Sequence, residues 1–484
     1  MKNVKSIAVV GGGSAGLIAA TILRKKLNIQ VDVIHSKKIG IIGVGEGSTE
    51  HFTEYLKFMN INPYDIIKHC DATYKSGIMF EDWGDKNYLH SILAKFDKQF
   101  GQYNYVYAKQ VSEDANYFNY NTLWDNKINS WFLNKPEEVP FAQFHFNTHK
   151  LNKFLIDIAV SMDINIIDDE INDINLDEDG SIKSIVGSKE YNYDFYIDST
   201  GFKRLLLDKL GAKWQSYSKY LKMKSAITFQ TPDSEKYNLW TLAKAMNAGW
   251  LFRIPVWGRS GNGYIFDSDY ITKDQAHQEV EEYFGHSIDI GKQFNFDPGC
   301  VDRVWIKNCC GIGLSGSFVE PLEATSIGTS IQQSFLLMHR ITNYNDDVIS
   351  RYNSSFNDIM ENIRDFIILH YITKRNDTKF WQDVSKLELP ESLESKLNMW
   401  KNKLPIDEDF SDLSNYIMFK ASNHTLVLDG LDLFDRKSIK QEYDNNYDYV
   451  KEDADRTISD LHHFENSIST IEHKEYLRII REIF

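Results

Sequence analysis

Hydrophobic spacing divides the chain into three kinds of segment. Val4 to Val10 alternates weakly and then runs apolar, as a buried parallel strand does. A glycine-rich turn follows, then helical periodicity from about Ala15 to Lys26 and a second apolar strand at Gln30 to Ile34. Helical spacing also occupies Thr49 to Cys70 and Lys150 to Ser161. Ile164 to Asp198 predicts a β-meander turning at Asp177-Glu-Asp-Gly180, and Leu221 to Gln230 and Gly249 to Asp267 predict strands of a second sheet. Val301 to Cys309 predicts one more strand, which breaks into a loop with Gly311, Gly313 and Gly316 and resumes as a helix from about Ala324. Beyond Ser326 the pattern is helical almost throughout: about Ile327 to Ile341, Asp347 to Tyr371, Lys379 to Lys386 and Glu391 to Asn402, with shorter helices to Phe484. The expected class is α/β. Residues 1–345 form the main domain, with an inserted sheet and an aromatic-rich segment, and residues 346–484 form a mostly helical subdomain.

The first turn reads Gly11-Gly-Gly-Ser14-Ala15-Gly16, a G-x-G-x-x-G between strand and helix. In that setting a dinucleotide pyrophosphate on the helix N-terminus is the natural ligand, since glycines let backbone N–H groups approach it closely. The second strand of such a unit ordinarily ends in an acid that grips a ribose hydroxyl. Here His35-Ser36 stands in its place. Ile39 to Ser48 holds four glycines in ten positions, with Gly43, Gly45 and one carboxylate, Glu46. It reads as a strap beside a bound cofactor or as an ordinary crossover loop. Asp194 to Gly201 is a second strand-to-glycine junction.

Two carboxylates, Glu320 and Glu323, bracket Pro321 and Leu322 in an otherwise apolar loop. Buried, they must be hydrogen-bonded, paired or functional; the alternative is a capping role at the helix start. Lys75 precedes a strand-like run ending at Trp83. Aromatics crowd Asn87 to Phe146 (Tyr103, Tyr105, Tyr107, Tyr117, Phe118, Tyr120, Trp124, Trp131, Phe132), as a hydrophobic core or a pocket for a flat ring requires.

Composition then narrows the classes. A net charge of −15 over 484 residues argues against nucleic-acid and anionic-membrane partners. The four cysteines show no metal or disulfide spacing, so no metal is expected and a reducing cytosol fits. The apolar run Ser6 to Leu23 carries its glycines mid-segment, which suits strand–turn–helix better than a signal anchor. The expected location is cytoplasmic.

Four separated stretches resemble the flavin-dependent tryptophan-halogenase family: Gly11 to Gly16; Gly43-Val-Gly45-Glu46-Gly-Ser48; Gly249-Trp250-x-Phe252-x-Ile254-Pro255; and Phe318-Val-Glu-Pro-Leu-Glu-Ala-Thr325. Asp198 to Phe202, His370-Tyr371 and Asp377 to Trp381 are further landmarks. The third stretch is the diagnostic one, with Phe252 where relatives carry a second Trp. Ala324 stands where many have Ser, and Ser326 where they often have Gly.

The resemblance implies a flavin-binding fold of the aromatic-hydroxylase type, Rossmann-like with a second β-sheet. It implies FAD held by Gly11, Gly13, Ser14, Ala15, Gly16, Gly43, Gly45, Glu46, Gly201 and Gly313, and halide held by the amides of Thr325 and Ser326. Reduced flavin and oxygen would convert halide to hypohalous acid. Lys75 would present it to an electron-rich aromatic as a hydrogen-bond donor or as a haloamine, and Glu323 would take the ring proton. No second G-x-G-x-x-G has a βαβ setting, so FADH2 is expected from a separate NAD(P)H flavin reductase. Homo-oligomer formation stays open. The alternatives are a flavin monooxygenase that inserts oxygen and a non-catalytic flavoprotein that keeps the fold.

Overall fold

A computed structural model describes residues 3–41, 43, 46–91, 102–113, 125–134, 143–467 and 469–483. The opening unit forms as its pattern predicts, with strand Ser6–Val10, helix Ser14–Lys26 and strand Gln30–His35. It belongs to a six-stranded sheet ordered Trp305–Ile306, Cys309–Gly311, Phe195–Asp198, Ser6–Val10, Gln30–His35, Asn165–Asp168. All pairings are parallel except the outermost, between Trp305–Ile306 and Cys309–Gly311. Parallel neighbours discharge their loops at one edge. The strands ending at Val10, Asp198 and Gly311 therefore set three glycine junctions side by side, where open α/β sheets bind ligands.

The second sheet has seven strands, ordered Ile290–Asn295, Ser225–Pro232, Arg259–Phe266, Gly249–Val256, Thr241–Met246, Gly77–Glu81, Tyr88–Ser91. Its only parallel pairing joins Thr241–Met246 to Gly77–Glu81. The short strand Thr73–Lys75 lies just before Gly77–Glu81 but pairs elsewhere, antiparallel to Gln143–His145.

Several expectations are corrected. Val301 to Cys309 is not one strand: Gly299–Val301 ends early, Lys307 at φ +54 turns the chain, and Trp305–Ile306 and Cys309–Gly311 form a hairpin. Of the expected meander only Asp173–Leu176, Ile182–Val186 and Glu190–Tyr191 form one; its outer strands join the parallel sheet. Thr49 to Cys70 splits into His51–Met59 and Pro63–His69, because Asn60 turns left-handed and Asn62, capping Tyr64 N, restarts the helix before Pro63. Helices Gln102–Ser112 and Lys273–Phe284 were not expected. Tyr117, Phe118, Tyr120 and Trp124 lie outside the described residues, whereas Tyr107 is wholly buried and serves the core.

Toward the C-terminus come helices Thr325–Arg340, Asp346–His370, Lys379–Val384, Glu391–Trp400, Ala421–Gly430, Arg436–Asp444 and Asp448–Asn466. The chain then returns to its beginning: Thr470–Glu472 pairs with Lys127–Asn129, and helix His473–Ile483 packs on Pro63–His69. Among the described residues the main core of buried apolar side chains runs from Val4 to Ile480, and a second, smaller one joins the seven-stranded sheet to helix Lys273–Phe284. Among the described residues no helix is long and apolar enough to cross a membrane.

Candidate active site

The glycine edge is built by close approach. Gly11 sits at φ +116, and a Cβ there would lie 2.1 Å from the Ser199 carbonyl oxygen; one on Gly313, at φ +79, would lie 2.6 Å from Ala15 Cβ. Only a residue without a side chain lets the three junctions close on one another. Gly13 differs, with open space where its Cβ would be. Beside it, Ser14 Oγ is buried without a partner at the first residue of the helix. Asn152 Nδ2 holds the turn by donating to Gly12 O at 2.8 Å. An orphaned hydroxyl, free first-turn amides and empty space at Gly13 fit a phosphate group. Gly201, at φ +70, follows Asp198, whose buried carboxylate accepts from Thr200 N, Thr200 Oγ1, Leu206 N and Leu207 N.

His35 ends the second strand with its ring against the turn: a Cβ on Gly12 would lie 2.7 Å from His35 Cγ. Asp168 is its register partner on the next strand, but that carboxylate accepts from Lys37 N at 3.0 Å. The fold thus brings an imidazole, not a free acid, to this corner.

A cavity of about 540 Å³ opens beside this edge. Its wall includes Gly43, Glu46 and Gly47 of the strap, Trp250, Phe252 and Ile254 of the second sheet, and Ala324, Thr325 and Ser326 at a helix start. Gly45 lies outside the described residues. Glu46 forms a two-point ion pair with Arg259, with Nη1 to Oε2 at 3.1 Å, which fastens the strap to the second sheet. Ala324 is left-handed at φ +53 and supplies no side-chain cap, so the first-turn amides of Thr325–Arg340 have no capping acceptor.

Period-2 alternation turns Trp250, Phe252 and Ile254 to this cavity. Trp250 Nε1 donates to Glu320 Oε1 at 3.0 Å, and Tyr371 OH donates to the same oxygen. Glu320 is 0% exposed, its Oε2 has no partner, and burial pushes its pKa up to about 7. At the other end of the motif, Pro255 O accepts from Thr73 Oγ1 at 2.7 Å, tying this strand to the one that carries Lys75.

Lys75 is 1% exposed and donates to Ser48 O at 2.8 Å. Burial lowers its pKa to about 8, against Glu323 and Glu50, whose charges act the other way. Glu323 is 3% exposed and closes the short Pro321–Glu323 turn. Its Oε2 lies 2.9 Å from His90 Nδ1 and its Oε1 3.0 Å from His370 Nε2. The network assigns the protons. Lys420 N donates to Asn423 Oδ1, so Asn423 Nδ2 faces His90 Nε2 at 3.1 Å and leaves Nδ1–H for the carboxylate. Tyr88 OH, which can donate or accept, meets His370 Nδ1 at 2.9 Å, and it is the acceptor-only carboxylate 3.0 Å from Nε2 that calls for a proton on that nitrogen. Burial would raise the Glu323 carboxyl, but the two imidazoles outweigh it and bring it down to about 2, while burial keeps His370 below its ordinary value. Among the described residues no group of His, Cys, Asp and Glu is arranged to hold a metal.

Two adjacent residues at the end of helix Asp346–His370 thus govern two carboxylates three positions apart. His370 holds the ionised Glu323, and Tyr371 holds Glu320. Environments that push paired carboxyls apart are a signature of acid–base assignment. Lys75 and Glu323 do not line the 540 Å³ cavity; they lie behind its wall, which reaches Gly47, next to Ser48, and Ala324, next to Glu323. Sequence reasoning missed His90, Tyr88, Asn423 and Arg259 altogether. A histidine amid aromatics was the one signal for His90; nothing local distinguishes the other three.

The tryptophan halogenase family model matches residues 6–444. The chain is 30% identical over 453 residues to the 7-chloro-L-tryptophan 6-halogenase KtzR of Kutzneria sp., covering 83% of this chain and 86% of that one. It is 28% identical to the tryptophan 7-halogenase RebH of Lentzea aerocolonigenes, over 89% of this chain and 90% of that one. Among solved structures, Tar14, a tryptophan C-6 flavin-dependent halogenase from taromycin biosynthesis, superimposes with TM-score 0.88 at 26% identity, covering 99% of this chain and 100% of its own. The fold also matches a tryptophan halogenase from Shewanella frigidimarina, TM-score 0.89 at 24% identity, over 99% and 98% of the two chains. With the glycine edge, the tryptophan-bearing strand and the Pro-Leu-Glu turn in family order, this chain belongs to the tryptophan halogenase family.

Proposed function

We propose that the protein uses FADH2, oxygen and halide to halogenate an electron-rich aromatic of the indole or phenol type, with free tryptophan one candidate. The observation that carries this reading is a buried lysine and a buried, ionised glutamate behind the wall of a cavity that reaches Phe202 and Leu314, next to a glycine edge fit for a flavin dinucleotide's phosphates. Gly11, Gly13, Ser14, Ala15 and Gly16 would hold the pyrophosphate, and Gly43, Glu46, Gly201 and Gly313 would serve the rest of the FAD. When bound, reduced flavin with oxygen supplies the oxidising power that turns halide into hypohalous acid. A separate NAD(P)H flavin reductase provides the reduced form.

The chain's own residues do the rest. The amides of Thr325 and Ser326, uncapped at the positive end of their helix, take the halide. Lys75, with one N–H on Ser48 O, keeps two N–H donors for the oxygen of hypohalous acid and makes its halogen more electrophilic; the neutral amine would instead carry the halogen as a haloamine. Glu323, already a carboxylate between two imidazole N–H groups, stabilises the cationic ring and accepts its proton. Residues 346–484, which contribute His370, Tyr371 and Asn423, cap the substrate side.

The test supplies FAD, a flavin reductase, NADH, oxygen and chloride, bromide or iodide in turn to a panel of indoles and phenols, with products read by mass spectrometry. Halogenated product that disappears in Lys75→Ala is expected. Unchanged product in that variant removes Lys75 from the reaction, and an oxygenated product without halogen replaces the proposal with a monooxygenase.

A further inference from the structure

Gln143, the register partner of Lys75, holds a second carboxylate that the reaction above does not use, Glu50. The antiparallel register sets Lys75 opposite Gln143, which places the two side chains on one face, a few ångströms apart at Cβ. Gln143 is buried, and its Nε2 donates to Glu50 Oε2 at 3.1 Å. Its other end, Oε1, is buried with no partner. The segment around Glu50 is fixed to the same strand: Phe146 N donates to Glu46 O, Ser48 N to Phe144 O and Phe144 N to Ser48 Oγ, each at 2.9 Å. The carbonyl that receives Lys75 and the carboxylate of Glu50 are thus held by one short stretch of backbone.

Resting on the halogenase reading, we infer that Glu50, oriented by Gln143, is a positioning residue that keeps Lys75 an ammonium through the reaction. The argument concerns which counter-charge survives. Glu323 is the other carboxylate facing Lys75, but it is already engaged by His90 and His370, and its charge vanishes when it accepts the ring proton. The third titratable neighbour, His145, cannot substitute. Its ring is bonded to Thr241 Oγ1 and Thr73 Oγ1, and burial together with the lysine's charge keeps it neutral. Glu50 is held by a neutral amide and takes no part in the proton transfer to Glu323. A buried ammonium with no counter-charge gives up its proton.

The test titrates Lys75 directly by NMR in full-length protein labelled with [ε-13C]lysine, the signal identified by its loss in Lys75→Met. In Glu50→Gln the Lys75 midpoint falls by about one pH unit, and the matching limb of the halogenation–pH profile moves with it. Gln143→Leu moves both in the same direction by less, and Glu50→Asp, which keeps the charge, stays close to the parent. A folded Glu50→Gln whose Lys75 midpoint does not move overturns the inference. A midpoint that moves while Lys75→Ala still halogenates fully leaves the charge pairing standing and overturns the role of Lys75 instead.

Discussion

The glycine edge and the charged knot behind it solve opposite problems. At the edge, side chains are absent, so that backbone donors stand bare: Gly13 faces open space and Ser14 Oγ has no partner. In the knot, Lys75, Glu320 and Glu323 are enclosed, and each is fastened to a named neighbour: Lys75 to Ser48 O, Glu320 to Trp250 and Glu323 to His90. A binding edge gains from unmet hydrogen bonds because a ligand will meet them. A reacting centre gains from fixed, dry charges, whose interactions are strong and need no rearrangement.

The hardest way to break this contrast is Glu323→Gln. The amide nearly preserves shape but cannot accept a proton, and it turns an N–H group toward an imidazole N–H. Product formation falls by roughly 10²–10⁴-fold while circular dichroism stays that of the parent. Next come two glycines with opposite expectations. Gly11→Ala meets the Ser199 carbonyl at positive φ and costs about 2–4 kcal/mol of stability, read in urea unfolding. Gly13→Ala leaves unfolding unchanged, because its Cβ enters only open space, and on the proposed pyrophosphate site it weakens FAD binding, measured by flavin fluorescence, by about tenfold.

Smaller effects test the knot's electrostatics. Lys75 has a folded pKa of about 8, below its unfolded value, so the cost of burying its charge is fully present below about pH 8 and fades as pH rises toward the ordinary lysine range. Lys75→Met therefore stabilises by roughly 2–3 kcal/mol at pH 7, with the gain narrowing above pH 8. Glu320 has the opposite sign. Its pKa is raised to about 7, so its contribution is fully present below the ordinary carboxylate range and is lost as pH rises through about 7. Glu320→Gln gains about 1–2 kcal/mol over the parent at pH 8 and little at pH 4, checked by unfolding at both values.

Much of this was written locally. A strand ending in G-x-G-x-x-G before an apolar helix can bury its face only as the start of a parallel sheet, and Ser6–Val10 with Ser14–Lys26 formed that way. The sequence also put a helix start near Ala324 and made Glu320 and Glu323 anomalous in an apolar loop. It could not say which of the two would be ionised. That depends on His90, His370 and Asn423, far away in the chain, and on which imidazole nitrogen each leaves free. Nor could it place Lys75, whose state follows from Ser48, Glu50 and Gln143 across a strand register. Backbone conformation and apolar spacing are properties of neighbours in sequence, so they can be read there. A proton's affinity is set by desolvation and by charges within a few ångströms, and only the packed tertiary structure supplies those.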